Sequence, residues 1–235
     1  MIIMKNRFVY LLAAALLVAV SCQKLENVDD VGSVITDDYF RAFCQEHYDA
    51  NKDGRISMNE ASAVRIMGLN VHEQRIASLE GIRYMTGLVS FMIFQNLEME
   101  VLDLQENYSL CEFQTASCQK LRTILFPGKV SSAFKCKISF CYNLQELSLP
   151  EGMEILDECI LDCSSLKTIT LPSTIKEIPA DAIAINGPCT LRVFAKEPPK
   201  LETSLSWTDK ILVPAGSVDL YKEKWPKYAD KIFQL

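Results

Sequence analysis

Residues 49 to 60 read DANKDGRISMNE, an alternation of oxygen-bearing side chains that suits a hard cation. Asp49, Asn51 and Asp53 stand at positions 1, 3 and 5 of this twelve-residue run. Gly54 follows at position 6, where the chain must turn sharply, and Glu60 closes the run at position 12. Ca²⁺ takes about six to eight oxygens, and a tight loop can aim alternate residues at one point. In this reading Asp49, Asn51 and Asp53 give side-chain oxygens and Arg55 its backbone carbonyl. Ser57 makes a contact through water, and Glu60 supplies both carboxylate oxygens. The expected cofactor is Ca²⁺, in a structural rather than a signalling role.

Ile56, at position 8, is where such a loop meets a second one. The stretch from Ile66 to Leu97 holds no second run of this kind. An unpaired loop predicts weak binding, with a dissociation constant on the order of 10⁻⁵ to 10⁻³ M. Other chemistry is sparse. The two histidines, His47 and His72, form no HExxH pair, and neither a G-x-S-x-G elbow nor a phosphate loop occurs. No catalytic residue is assigned, and the chain reads as a non-enzyme.

The loop needs flanking elements. Thr36-Asp37-Asp38 is a helix start, and Tyr39, Phe40, Phe43, Cys44 and His47 recur at helical spacing as an entering helix. Ala61, Val64 and Met67 predict an exiting helix that stops near Gly68. Together these make an EF-hand, whose apolar faces would cap the next part of the chain.

That next part is repetitive. Cys118, Cys141 and Cys163 lie 23 and 22 residues apart, and the same steps separate Leu121, Leu144 and Leu166. Ile124, Leu147 and Ile169 keep that register, as do Pro127, Pro150 and Pro172. A period of this length with Leu-x-x-Leu-x-Leu spacing marks a leucine-rich-repeat solenoid, whose turns bury their apolar edges by stacking. About five turns are expected between Leu79 and Cys189, with the stretch from Ser131 to Phe140 reading as irregular. Alternation puts Ile124 inward and Thr123 and Leu125 outward. The equivalent outward pairs are Glu146 with Ser148 and Thr168 with Thr170. These six residues are the candidate recognition strip.

Nine cysteines occur. Those at repeat positions suit buried thiols, since a free cysteine behaves as a small apolar residue. If any are oxidised, Cys136 with Cys159 or Cys141 with Cys163, one rung apart, are the expected pairs. Beyond the repeats, Leu191–Phe194 and Ile211–Val213 read as strands, and Ser217 caps a short helix ending at Pro226.

Residues 1–21 read as an export signal: Lys5 and Arg7, then an apolar run from Phe8 to Val20 that is too short for an ordinary membrane span. The run ends in Ala19-Val20-Ser21-Cys22, a bacterial lipobox pattern in which Cys22 carries the lipid. Removing this segment removes Lys5 and Arg7 and no acid, leaving 22 basic against 30 acidic residues, a net charge of −8. Such an acidic balance argues against a nucleic-acid partner. The expected plan is signal 1–21, tether 22–35, EF-hand helical cap 36–78, solenoid 79–189 and C-terminal cap 190–235. The fold class is mixed α/β: a short leucine-rich-repeat solenoid between an N-terminal helical cap and a small α/β C-terminal cap.

The order of lipobox, single EF-hand, C-x-x-L-x-x-I-x-LP repeats and a VPAGSVDLYKEKW tail resembles the BspA-type leucine-rich-repeat lipoproteins of Bacteroidota. The resemblance implies an outer-membrane lipoprotein at the cell surface. Its partner would be a protein or glycoprotein on host or neighbouring cells, with membrane contact through the lipid alone. A different reading is an accessory carbohydrate-binding lipoprotein of a glycan-uptake system, with Trp207, Tyr221 or Trp225 as the sugar platform. A third is a periplasmic scaffold with no external ligand.

Overall fold

Each 22- or 23-residue step of the repeat folds into a turn that carries a strand on each of two faces. The computed structural model describes residues 28–70, 72 and 75–235. One face is a six-stranded parallel sheet: β1 (Ile66–Leu69), β2 (Ser90–Phe94), β4 (Glu112–Ala116), β6 (Lys135–Ser139), β8 (Ile160–Leu161) and β11 (Ile183–Ala184). The other starts with β3 (Val101–Asp103) paired to β5 (Thr123–Leu125). Next to β5, but not hydrogen-bonded to it, stands a separate five-stranded sheet of β7 (Glu146–Ser148), β9 (Thr168–Leu171), β12 (Cys189–Val193), β14 (Thr208–Val213) and β15 (Ile232–Gln234). Short β10 (Glu177–Ile178) and β13 (Lys200–Leu201) pair on a third edge. Every strand pairing among the described residues is parallel.

The repeat spacing reappears as register. Leu147 pairs with Ile169, and Ile169 with Leu191, so one aliphatic column runs through the core. A second column of Phe91, Phe113 and Cys136 lines the six-stranded sheet. Phe91 stacks on Phe113 at 6.1 Å, and Phe126 meets Phe113 edge-on at 5.2 Å, which ties the two faces together. Non-local hydrogen bonding of this kind rewards sequences only when each turn repeats the same inward set.

The corners repeat as well. Gln95, Ser117, Phe140 and Asp162 all take the left-handed backbone conformation just after β2, β4, β6 and β8. The next residue in each case is buried: Asn96, Cys118, Cys141 or Cys163. Asn96 donates to Ile76 O and accepts from Met99 N. The three thiols instead donate weakly to Ala116, Ser139 and Leu161 carbonyls at 3.5 to 3.7 Å. This accounts for the cysteine period: a small side chain with a weak donor fits the corner. All eight described cysteines are free, and only Cys111 is not fully buried. Burial pushes the Cys44 and Cys189 thiols up to about 12 and that of Cys136 well above its ordinary range.

The N-terminal region departs from expectation in three places. Helix α1 (Asp38–Tyr48) forms as read, with Asp37 accepting from Phe40 N and with Phe40, Phe43 and Cys44 buried. The exiting helix α2 is only Met58–Ala63, and Ile66–Leu69 is strand β1, not helix. Its burial alternates at period two, with Met67 and Leu69 inward, and its backbone is satisfied by β2. The six-stranded sheet therefore begins inside the segment assigned to the cap. The assigned tether is also partly folded, since Val31 and Ile35 are completely buried. Finally, the supposedly irregular stretch near Ser131 to Phe140 contains β6, in register with β4 over five residues.

At the far end, helix α3 (Val218–Lys224) covers the last turn, and β15 extends the sheet along β14. Tyr221 donates to Ala195 O at 2.8 Å, and Trp225 Nε1 donates to Pro199 O at 3.3 Å.

Candidate functional site

The loop from Asp49 to Glu60 is organised by its own side chains. Asp49 accepts from the backbone N–H groups of Asp53 and Gly54, Asn51 from Asp53, and Asp53 from Arg55. These bonds fold three oxygen-bearing residues over one tight turn, with Gly54 at φ +83°. Ser57 caps α2, and Glu60 answers it: Ser57 accepts from Glu60 N, while the Glu60 carboxylate accepts from Ser57 N and Oγ. That is a capping box. The S-x-x-E spacing signals it in the sequence, so Ser57 and Glu60 carry a structural task besides the one first assigned. The other Glu60 oxygen accepts from Ala50 N at 2.9 Å and Asn51 N at 3.3 Å. The Ser57 backbone N–H, then its hydroxyl, hold the Glu60 carboxyl below the usual carboxylate range.

The donor set is entirely oxygen and suits a hard cation in its chemistry. The carboxylates of Asp49, Asp53 and Glu60 are not drawn into one cluster. Among the described residues no three His, Cys, Asp or Glu side chains gather closely enough to hold a metal ion. Closing a cage would require Glu60 to exchange Ala50 and Asn51 for the ion.

Position 8 of the loop does find a partner. Val31 N donates to Ile56 O at 2.7 Å, and Ile56 N donates to the Asp30 carboxylate at 3.2 Å. Ile56 is fully buried. The segment before α1 thus stands where a second loop would stand. Nothing local in the sequence marks Asp30 for this role, because the contact spans 26 residues.

The six strip residues fall together on the outer face of the second ladder. Glu146 lies beside Thr168 and Ser148 beside Thr170, while Thr123 and Leu125 stand on the neighbouring β5, which pairs with β3. Ile124, Leu147 and Ile169 between them are buried, as the alternation requires. The rows are longer than the sequence reading made them. Val101 and Asp103 precede them on β3, and Thr190, Arg192, Lys210 and Leu212 follow on β12 and β14. Arg192 lies over Phe194 and Lys210 over Phe233. The face runs from acidic and aliphatic at one end, through hydroxyls, to cationic and aromatic at the other.

Two of the three aromatics of the proposed sugar platform are off the surface, and the third is partly buried. Tyr221 and Trp225 are buried in the cap, and Trp207 packs against the core with its Nε1 shielded. His47 is exposed and stacks on Phe43 at 4.3 Å, while Cys44 is buried in α1. Cys22 and the signal lie outside the described residues.

Residues 89–193 match the BspA type leucine-rich repeat region, in six copies. The matched span runs from the start of β2 to the end of β12. Repeats of this family generally mediate protein–protein interaction and are typically non-catalytic. No curated protein matches the chain.

Proposed function

We propose that this protein is a surface-anchored interaction module that grips a protein or glycoprotein through the outer face of its second ladder. The supporting observation is the register of the outward rows on that face. Two outward rows run in register from Glu146 and Ser148 on β7 through the hydroxyls of Thr168, Thr170 and Thr190 to Arg192 and Lys210, and β3 and β5 carry a second, shorter registered stretch beside them. The Cys22 lipobox would hold the module at the outer membrane. Ca²⁺ at Asp49, Asn51, Asp53, Arg55, Ser57 and Glu60 would brace the N-terminal cap.

Two measurements test this reading. The first is adhesion of the protein to immobilised matrix proteins and to neighbouring bacterial cells, with and without Thr123→Arg, Ser148→Arg and Thr170→Arg together. Binding that the triple variant loses, at an unchanged Tm, supports the ladder face. Binding no greater than that of an unrelated lipoprotein overturns it. The second is thermal unfolding in millimolar calcium and in chelator. A rise in Tm that Glu60→Gln abolishes supports the brace, and no rise removes the metal from the account.

A further inference from the structure

Among the described residues the second ladder has no strand before β3. The first turn contributes β1 to the six-stranded sheet, yet β3 is the edge strand of the other face. Leu79 stands 23 residues before Leu102 and, like it, is buried, so the segment around Leu79 is the sequence equivalent of β3 in the preceding turn, yet it does not pair with β3. It is held off. Asp37 accepts from Ala77 N at 2.7 Å and Ser78 N at 3.2 Å, drawing the chain toward α1. Gly81 then turns at φ +102° against Ile35, where a Cβ would meet the Ile35 side chain at 2.6 Å. A cavity of about 340 Å³ remains between Ser78–Arg83 and β3.

This cavity exposes backbone as well as side chains. On its β5 side, β3 bonds through Glu100 O and Leu104 N. Alternation along a strand turns the Val101 and Asp103 peptide groups the other way, toward the cavity. No described residue's backbone meets them there. Val101 is half exposed and, with Leu125, makes an aliphatic floor. Around it stand Glu80, Asp103 and Glu106, against one cation, Arg83. Arg83 makes no ion pair with a described residue and lies beside the Tyr84 ring.

We infer that an extended, lysine- or arginine-bearing segment of a protein partner adds as a strand to the open edge of β3. This rests on the interaction reading above and names its recognition chemistry. Main-chain bonds to Val101 and Asp103 supply the docking, as in other strand additions to a sheet edge. The partner's basic side chain lays its aliphatic stem over Val101 and Leu125 and brings its charge to the carboxylates.

The test is an amide-resolved NMR titration of the full chain with a blocked Thr-Lys-Val-Lys-Thr peptide. Two controls replace both lysines with glutamate, or the central valine with proline. The lysine peptide is expected to shift the Val101 and Asp103 amides and slow their hydrogen exchange. The glutamate and proline peptides should not. Asp103→Asn with Glu106→Gln should weaken the lysine peptide by about tenfold, the order expected for losing charge-assisted bonds. Unchanged Val101 and Asp103 signals, or equal binding of the glutamate peptide, would overturn the inference. Adhesion that survives the double substitution would also remove β3 as the docking edge, while leaving the interaction reading intact. Peptide binding at β3 in a protein that adheres to nothing would sink the interaction reading and leave the edge site standing.

Discussion

The N-terminal cap and the solenoid are held together by different physics. In the cap, single side chains satisfy several backbone groups at once. Asp37 accepts from Phe40, Ala77 and Ser78, and Glu60 from Ala50, Asn51 and Ser57. In the solenoid, backbone bonds backbone, and the side chains mainly fill volume. A cap contact has no deputy, whereas a rung is flanked by rungs of the same kind. Order in the cap therefore hinges on single residues, whereas in the ladder it is spread over the rungs.

The sharpest way to break this contrast is to cut a hole in the ladder. Ile169 is fully buried on β9, paired on both sides by β7 and β12. Ile169→Ala is expected to cost about 3 to 4 kcal/mol, from lost transfer energy plus the cavity left behind. Urea unfolding followed by circular dichroism measures it. A cost near zero would mean that neighbouring rungs collapse around the gap. Next in size is Asp37→Ala, which removes a helix cap and the acceptor of two further backbone N–H groups. About 2 kcal/mol is expected. The same variant should let Ser78–Arg83 move, so the Val101 and Asp103 amide signals should shift with it.

Glu60→Gln comes third, at about 1 kcal/mol in chelator, because it weakens the capping box. Its pH dependence has a definite sign. The folded protein holds the Glu60 carboxyl below its ordinary range, so the charged form is the stabilised one. That stability is present above the unfolded pKa and is lost as pH falls through the lowered folded value. The wild-type protein should therefore lose stability faster than Glu60→Gln on acidification below about pH 4.5. Parallel curves for the two proteins would rule out a role for this carboxylate.

The thiols sharpen the comparison without altering stability. At pH 8, with Cys22 replaced by serine, Cys111 should react with a thiol reagent in the native state. The seven buried cysteines should react only after unfolding. Rapid labelling of several would show that the corners open easily. The smallest effect belongs to the surface pairs that join rungs, such as Lys137 to Glu158 at 2.7 Å. Both side chains reach solvent, and Lys137→Ala should leave the Tm nearly unchanged.

Much of this molecule was legible in the chain itself. The cysteine, leucine and proline steps gave the turn length, and alternation placed Thr123, Leu125 and their equivalents outward. Asp37 as a helix cap was equally local. These features depend on neighbours a few residues away or on simple repetition. Ile66–Leu69 was not legible, because a four-residue apolar run fits a helix end or a strand equally well. The β6 strand was hidden for a related reason, since Lys135-Cys-Lys-Ile-Ser looks polar until Glu112–Ala116 lies beside it.

By itself, the sequence determined the repeat, the loop with its oxygen donors, and which side chains face outward from the second ladder. Only the tertiary structure decided that Asp30 and Val31 complete the loop at Ile56, that Trp225 and Tyr221 are buried, and that the ladder stops at β3. The physical reason is range. Turn length and facing follow from bond geometry and side-chain period, but each of these outcomes is a hydrogen bond or contact between residues more than 20 positions apart.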